Sequence, residues 1–192
     1  MREIIGVVLA GGRSSRFGGV DKSFIPLAGK PLIAHAIERL APQVDVVAIS
    51  SNSPPDRFAE FGLQVFGDII QGTVGPLGGM HAALTRWPEN EIVTAAVDLP
   101  FLPAGWVQQL RQNNGGKPCA YLAAGVQHIL AVWWTPGMGP GLQSFIDGGG
   151  RSLKAWLQRH GQAVVVQAGV DVDVMFNINT PDDLVRAEQK LR

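Results

Sequence analysis

The stretch Ile4-Ile5-Gly6-Val7-Val8-Leu9-Ala10-Gly11-Gly12-Arg13-Ser14-Ser15-Arg16-Phe17-Gly18-Gly19-Val20-Asp21-Lys22 decides the fold. Its first six residues are apolar or glycine, rich in β-branched side chains and without polar alternation, which predicts a parallel strand buried on both faces. The run breaks at Gly11-Gly12. Glycines without a Cβ let the backbone come close to a ligand and turn its N–H groups toward it. Arg13, Arg16 and Lys22 then place three cations within ten positions, the arginines being suited to bidentate contact with phosphate oxygens. Leu9, Ala10, Gly11, Gly12, Arg13, Arg16 and Lys22 together read as a phosphate loop at the carboxyl end of a first strand. Two familiar phosphate loops are excluded. A Walker A loop ending at Lys22 needs glycine where Arg16 and Asp21 stand, and G-x-G-x-x-G occurs nowhere. Taken alone, the loop also admits a bland reading as a solvated turn.

Working outward, strands and helices alternate. Pro31 opens a helical pattern (Leu32, Ile33, Ala36, Ile37, Leu40), Val44–Ile49 reads as a second strand, and a short helix is expected around Pro55–Glu60. Gln64–Phe66 is a candidate third strand. Pro76–Arg86 follows as a helix, Glu91–Val97 as a buried strand and Pro103–Gln112 as the next helix. Beyond these, Ala120–Tyr121 and Ile129–Trp134 suggest strands, and Ser152–Arg159 and Thr180–Lys190 helices. Thr180-Pro181-Asp182-Asp183 has the residues of a helix start. The glycine patches at Gly115-Gly116, Gly137–Gly141 and Gly148–Gly150 read as turns. The expectation is one α/β, Rossmann-like domain with a mainly parallel, partly mixed sheet flanked by helices. Residues 1–103 would form a nucleotide-binding half and 104–192 an acceptor-binding half. In such sheets ligands lie beyond the carboxyl ends of the strands, so the residues after Leu9, Ile49, Phe66 and Val97 carry the most information.

Composition narrows the function. Lysine plus arginine equal aspartate plus glutamate at 16 each, so no net positive field exists to hold a long nucleic acid. One cysteine, Cys119, excludes a disulfide framework and reads as a small buried hydrophobe. The apolar runs are shorter than the ~20 residues that cross a bilayer, and no secretory signal opens the chain, so a cytoplasmic protein without membrane contact is expected. His35, His81, His128 and His160 match no zinc spacing. His35 and His81 suit helix packing, while His128 begins a strand and could touch a second substrate. Trp133 and Trp134 point to opposite faces of a strand; core packing suits both, although a flat ring could meet one.

The other strand ends carry polar groups. Asp98 follows Ile92–Val97, where a carboxylate can hold Mg²⁺ together with phosphates or serve as a turn residue. Asp68 follows the third strand and by itself is an ordinary loop acid. Ser50 and Asn52 follow the second, where a base or ribose could be read by hydrogen bonds or a turn capped. Gly78 and Gly79 open a helix whose amides could face phosphate, or pack it tightly on the sheet. Asn177 and Asn179 flank Ile178 and would share one face of a strand, holding a ligand or the metal's waters, or capping an edge.

These motifs carry a resemblance. Leu9-Ala-Gly-Gly-Arg-x-x-Arg-Phe-Gly-Gly-x-Asp-Lys22, then Pro26-Leu-x-Gly-Lys-Pro-Leu32, Gly75-Pro-Leu-Gly-Gly-Met80, Val97-Asp-Leu-Pro100 and Asn177-Ile-Asn-Thr-Pro-Asp-Asp-Leu184 resemble the nucleotide-diphospho-sugar transferase-like proteins. Among these the chain is most similar to the molybdenum cofactor guanylyltransferase (MobA) family. The resemblance spans nearly the whole chain and is weakest from 104 to 170. It implies transfer of GMP from GTP to the phosphate of molybdopterin (Mo-molybdopterin) with release of pyrophosphate, and transient contact with cofactor-delivery or acceptor proteins is compatible with it. It implies Mg²⁺ at Asp98, catalytic roles for Arg16, Lys22 and Asp98, and nucleotide binding by Asp68. The family's base-reading asparagine falls at Ser50, with Asn52 two residues on, so that contact stays open between the two. A sister transferase using CTP or a sugar phosphate, and a non-catalytic nucleotide-binding protein, are the competing functions.

Overall fold

The computed structural model describes residues 2–11, 17–70, 75–124, 126–165 and 176–191. Gly12, Arg13 and Arg16 of the expected phosphate loop lie outside the described residues. The strands are β1 (Ile4–Leu9), the paired β2 (Pro26–Leu27) and β3 (Lys30–Pro31), β4 (Val46–Ser50), β5 (Gln64–Phe66), β6 (Glu91–Ala96), β7 (Cys119–Ala124), β8 (Val126–Trp134) and β9 (Gly161–Val165). The helices are α1 (Leu32–Leu40), α2 (Pro76–Arg86), α3 (Trp106–Gln112), α4 (Gly139–Asp147), α5 (Leu153–His160) and α6 (Pro181–Lys190).

The main sheet runs β5-β4-β1-β6-β8-β7-β9. Neighbours are parallel throughout except at β8, which is antiparallel to both β6 and β7. The expected mainly parallel, partly mixed α/β sheet is therefore present. Continuous apolar runs build it because both faces are covered. From β1, Val8 and Ala10 join the core beneath α1 and α3, while Ile5, Val7 and Leu9 join the one beneath α2, α4 and α5. Trp133 and Trp134 divide in the same way, both buried, so neither is left for a flat ligand. A third, smaller core gathers Ile25, Leu27, Leu32, Phe101, Ile178 and Ala187 under α6.

Several expectations needed correction. The segment near Pro55 is a 3₁₀ helix, Pro55–Phe61, that ends at left-handed Gly62. The helix expected from Pro103 starts at Trp106, after Gly105 at φ 74°. Gly137 is a turn residue (φ 78°), but Gly139 and Gly141 lie in the first turn of α4, where Leu142 and Ile146 supply the buried side that holds the helix. Strand β9 was not foreseen: a half-buried five-residue edge strand carries little periodic signal. Asn177 and Asn179 do not sit on a strand; residues 176–179 are irregular backbone, tied down by the Ile178 N–H donating to the Asp98 carbonyl at 3.0 Å. Cys119 is buried, and burial pushes its thiol up to about 12. Among the described residues no helix is long and apolar enough to cross a membrane.

Candidate active site

After β1 the chain goes on to β4 on one side, and after β6 it goes to β7 and back to β8 on the other. The gap between the carboxyl ends of β1 and β6 is thus the point at which a parallel sheet binds its ligand. The strands end level there: Leu9 faces Ser50 on one side and Ala96 on the other. The Ala10 N–H donates to the Ser50 carbonyl (2.9 Å) and the Val97 N–H to the Leu9 carbonyl (3.3 Å). The Ala10 carbonyl in turn receives the hydroxyls of Ser23 (3.4 Å) and Ser51 (3.3 Å). Leu9 and Ala10 are buried at this edge, and Gly11 emerges to solvent.

Lys22 opens a short 3₁₀ turn, Lys22–Phe24, capped by the Asp21 carboxylate, which accepts from the Ser23 N–H at 3.1 Å. Asp21 also accepts from Arg57 Nη1 (2.9 Å), and the Arg57 guanidinium lies over the Phe24 ring at 4.6 Å. This brace fixes the start of the lysine side chain; nothing in the spacing of Asp21 and Arg57 announced it. Lys22 Nζ then donates to Asp98 Oδ2 and to Asn179 Oδ1, each at 2.9 Å. The Lys22 and Asp98 side chains are 17% and 12% exposed, sheltered enough for the pair to hold a fixed geometry. Asn179 is positioned by α6: its N–H and that of Thr180 both donate to Asp183 Oδ2 at 2.9 Å within a capping box. Residues from the first, fourth and last parts of the expected site thus meet at one point.

On the β4–β5 side, Asn52 and Asp68 grip each other. Asn52 Nδ2 donates to Asp68 Oδ2 (3.0 Å) and the Asp68 N–H donates to Asn52 Oδ1 (2.8 Å). Ser50 is buried instead. Helix α2 starts directly over these groups. A Cβ on Gly78 would stand 2.5 Å from Asp68 Oδ2, and one on Gly79 would overlap the Ser50 hydroxyl. The lack of a side chain at both positions lets α2 pack closely onto the strand ends, one of the two roles that the sequence left open.

Residues 6–164 match the MobA-like NTP transferase domain family. The chain belongs to this family. A molybdenum cofactor guanylyltransferase of Mesorhizobium japonicum is 37% identical over 203 residues, spanning 100% of this chain and 97% of the relative. One of Yersinia pestis is 40% identical over 190 residues, spanning 98% and 97%. Among solved structures, molybdopterin-guanine dinucleotide biosynthesis protein A from Archaeoglobus fulgidus superposes with a TM-score of 0.76 at 26% identity, covering 97% of this chain and 98% of that one. The chain is a nucleotidyltransferase of this MobA-like family.

In this MobA-like transferase the groups around Asp98 suit a hard cation. Asp98 Oδ1 is buried and has no hydrogen-bond partner, so one carboxylate oxygen is left for a ligand. Among the described residues no cluster of three or more His, Cys, Asp or Glu could hold a metal. Mg²⁺ does not require one, because it commonly takes one or two carboxylates and completes its shell with water and phosphate oxygens. His128 is also buried beside this site, 2% exposed. Burial pushes its pKa below the usual histidine value, against the opposing influence of the neighbouring Asn177 amide and the Asp98 charge. Neither ring nitrogen makes a hydrogen bond of ordinary geometry.

Proposed function

We propose that this MobA-like transferase moves GMP from GTP to the terminal phosphate of molybdopterin and releases pyrophosphate. The observation that carries the reading is the meeting of Lys22, Asp98 and Asn179 at the switch point of the sheet, in a chain similar along its length to molybdenum cofactor guanylyltransferases.

The acceptor phosphate oxygen attacks the α-phosphorus of GTP. The bond from that phosphorus to the oxygen bridging toward the β-phosphorus breaks, and pyrophosphate departs with its electron pair. The nucleophile is already an anion, so no side chain has to remove a proton. The barrier lies in bringing two anions together and in charge developing on the leaving group, which positioned cations lower. Lys22 supplies such a cation: its ammonium exchanges the Asp98 carboxylate for a phosphate oxygen. Backbone amides near Gly11 and Gly12, with Arg13 and Arg16, complete the proposed phosphate cradle. Mg²⁺, held by Asp98 with Asn177 and Asn179 at its water shell, would supply further neutralisation of phosphate charge. Asn52, accessible and aligned by Asp68, is the better candidate for reading the base, since Ser50 is buried against Gly79. The second half of the chain supplies the acceptor pocket, and the proposed compartment is the cytoplasm.

A pyrophosphate-release assay with each of the four ribonucleoside triphosphates, with and without molybdopterin, tests this. Release only with GTP, Mg²⁺ and molybdopterin together is expected. Equal or faster release with CTP, or release independent of the acceptor, would overturn it.

A further inference from the structure

His128 stands where an irregularity in the sheet meets the Asp98 cleft. In the β6–β8 ladder Ile92 faces Trp134, Val93 faces Trp133 and Thr94 faces Val132. That pairing stops at Thr94 and Val132, and Asp98 lies in the turn that follows β6, close enough for its charge to act on the His128 ring. On the other side of β8, Tyr121 faces Val132 but the next residue, Leu122, faces His128, so Ile129, Leu130 and Ala131 have no counterpart on β7. Bulges of this kind re-aim side chains and are frequent beside active sites. The result here is a buried imidazole that makes no hydrogen bond of ordinary geometry and has the Asn177 amide as its polar neighbour, near a carboxylate whose Oδ1 has no partner. Buried polar groups are nearly always satisfied in folded proteins, and leaving them unsatisfied destabilises the fold. The imidazole calls for a partner that completes it, whereas Asp98 Oδ1, an acceptor, is matched by a cation.

We propose that His128 recognises the acceptor, donating a hydrogen bond from its ring to an oxygen of the acceptor's phosphate monoester and holding that phosphate on the β8 side of the cleft. Lys22 approaches Asp98 through the other carboxylate oxygen, Oδ2, so the two substrates are gripped through different residues. Asn177, half-buried in the irregular segment ahead of α6, is the neighbour whose side-chain rotation admits the oxygen to the ring. This assignment rests on the transferase reading above.

The test measures KM for molybdopterin, KM for GTP and the ligand-free melting midpoint in His128→Leu and His128→Asn. In the leucine variant the acceptor KM should rise about tenfold or more, the effect of losing one hydrogen bond to a charged group, while the GTP KM stays within about twofold. Its melting midpoint should hold or rise, because unsatisfied polar atoms leave the interior. His128→Asn, which keeps a short donor, should recover part of the acceptor affinity, and it decides the matter if the leucine variant does not fold. A fall in midpoint with both KM values moving together, or an unchanged acceptor KM in both variants, would overturn the assignment. If the wild-type protein releases no pyrophosphate with molybdopterin, the transferase reading itself fails, an outcome distinct from active variants with an unaltered acceptor KM.

Discussion

Lys22 and Asp98, 76 residues apart, form a 2.9 Å ion pair at the gap between β1 and β6, and Asn179 closes the contact from α6. In this arrangement the lysine ammonium neutralises the carboxylate that the proposed function assigns to a metal. Substrate binding would then reassign both charges, the lysine to phosphate and the carboxylate to Mg²⁺. The first three predictions concern this centre and the strand ends beside it.

Replacing Lys22 with alanine should lower kcat/KM by about 10²–10³, the usual effect of removing one preorganised group that stabilises developing negative charge. Far-UV circular dichroism should be unchanged, since the 3₁₀ turn is capped by Asp21 and not by Lys22. Steady-state pyrophosphate release measures the effect, and turnover equal to wild type would remove Lys22 from the phosphate site.

Asp98→Asn keeps the size of the side chain and removes its charge. The magnesium concentration giving half-maximal rate should rise by at least about tenfold, since even outer-shell changes at metal sites cost 10–100-fold in affinity. An unaltered magnesium titration would take Asp98 out of the metal site.

Gly79→Ala should destabilise the protein by about 1–3 kcal/mol through overpacking, because the new methyl overlaps the Ser50 hydroxyl. The double variant Ser50→Ala/Gly79→Ala removes that hydroxyl and should recover most of the loss, helped by alanine's advantage of about 1 kcal/mol over glycine within a helix. A double-mutant cycle by urea unfolding reads the coupling directly. Additive effects would mean that the overlap is relieved elsewhere.

Much of this centre could be read from residues alone, and the limits are physical. Lys22, Asp98 and Asn179 each follow or precede a recognisable element, so each could be singled out by local pattern. Their meeting could not, because it depends on strand order, and strand order is set by packing rather than by spacing. Helix α2 was legible to its ends because Pro76 begins it and its apolar positions recur at helical spacing. Helix α4 was not, because Gly139 and Gly141 read as turn residues until Leu142 and Ile146 are seen to anchor it. The proposed preference for Asn52 over Ser50 rests on burial, which two polar residues two positions apart at a strand end do not reveal. The bulge at His128 is likewise invisible in a run as apolar as Ile129–Trp134.

A site remote from the cleft separates stability from function. Glu91, at the amino end of β6, is 8% exposed and accepts from Arg111 Nη2 at 2.7 Å and Trp133 Nε1 at 2.8 Å. Glu91→Ala leaves the buried indole N–H without its partner and should cost about 2–3 kcal/mol, somewhat less than a fully buried pair because Arg111 is partly exposed. Urea unfolding should show the loss while both KM values stay at wild type. A selective change in either KM would mean that β6 transmits strain to Asp98.

Asp183 carries a pH dependence. Burial acts to raise its pKa, but the Asn179 N–H, the Thr180 hydroxyl and N–H, and the Arg186 charge together lower it below the ordinary aspartate value. A depressed carboxylate contributes stability that is complete above the unfolded-state pKa, about 3.9, and is lost as pH falls through the lower folded value. The difference in stability between wild type and Asp183→Asn should therefore be full at neutral pH and shrink below about pH 4. Chemical unfolding across pH checks this, and a gap that widens in acid would contradict the sign.

The most direct measurement is a crystal structure with GTP and Mn²⁺, the manganese located by its anomalous signal. The expected result is a metal peak bonded to an Asp98 carboxylate oxygen at roughly the 2.0–2.1 Å of a hard divalent cation, with Lys22 Nζ moved from Asp98 onto a phosphate oxygen. A triphosphate bound away from the gap between β1 and β6, with the Lys22–Asp98 pair intact and no metal on Asp98, would contradict the assignment of the site.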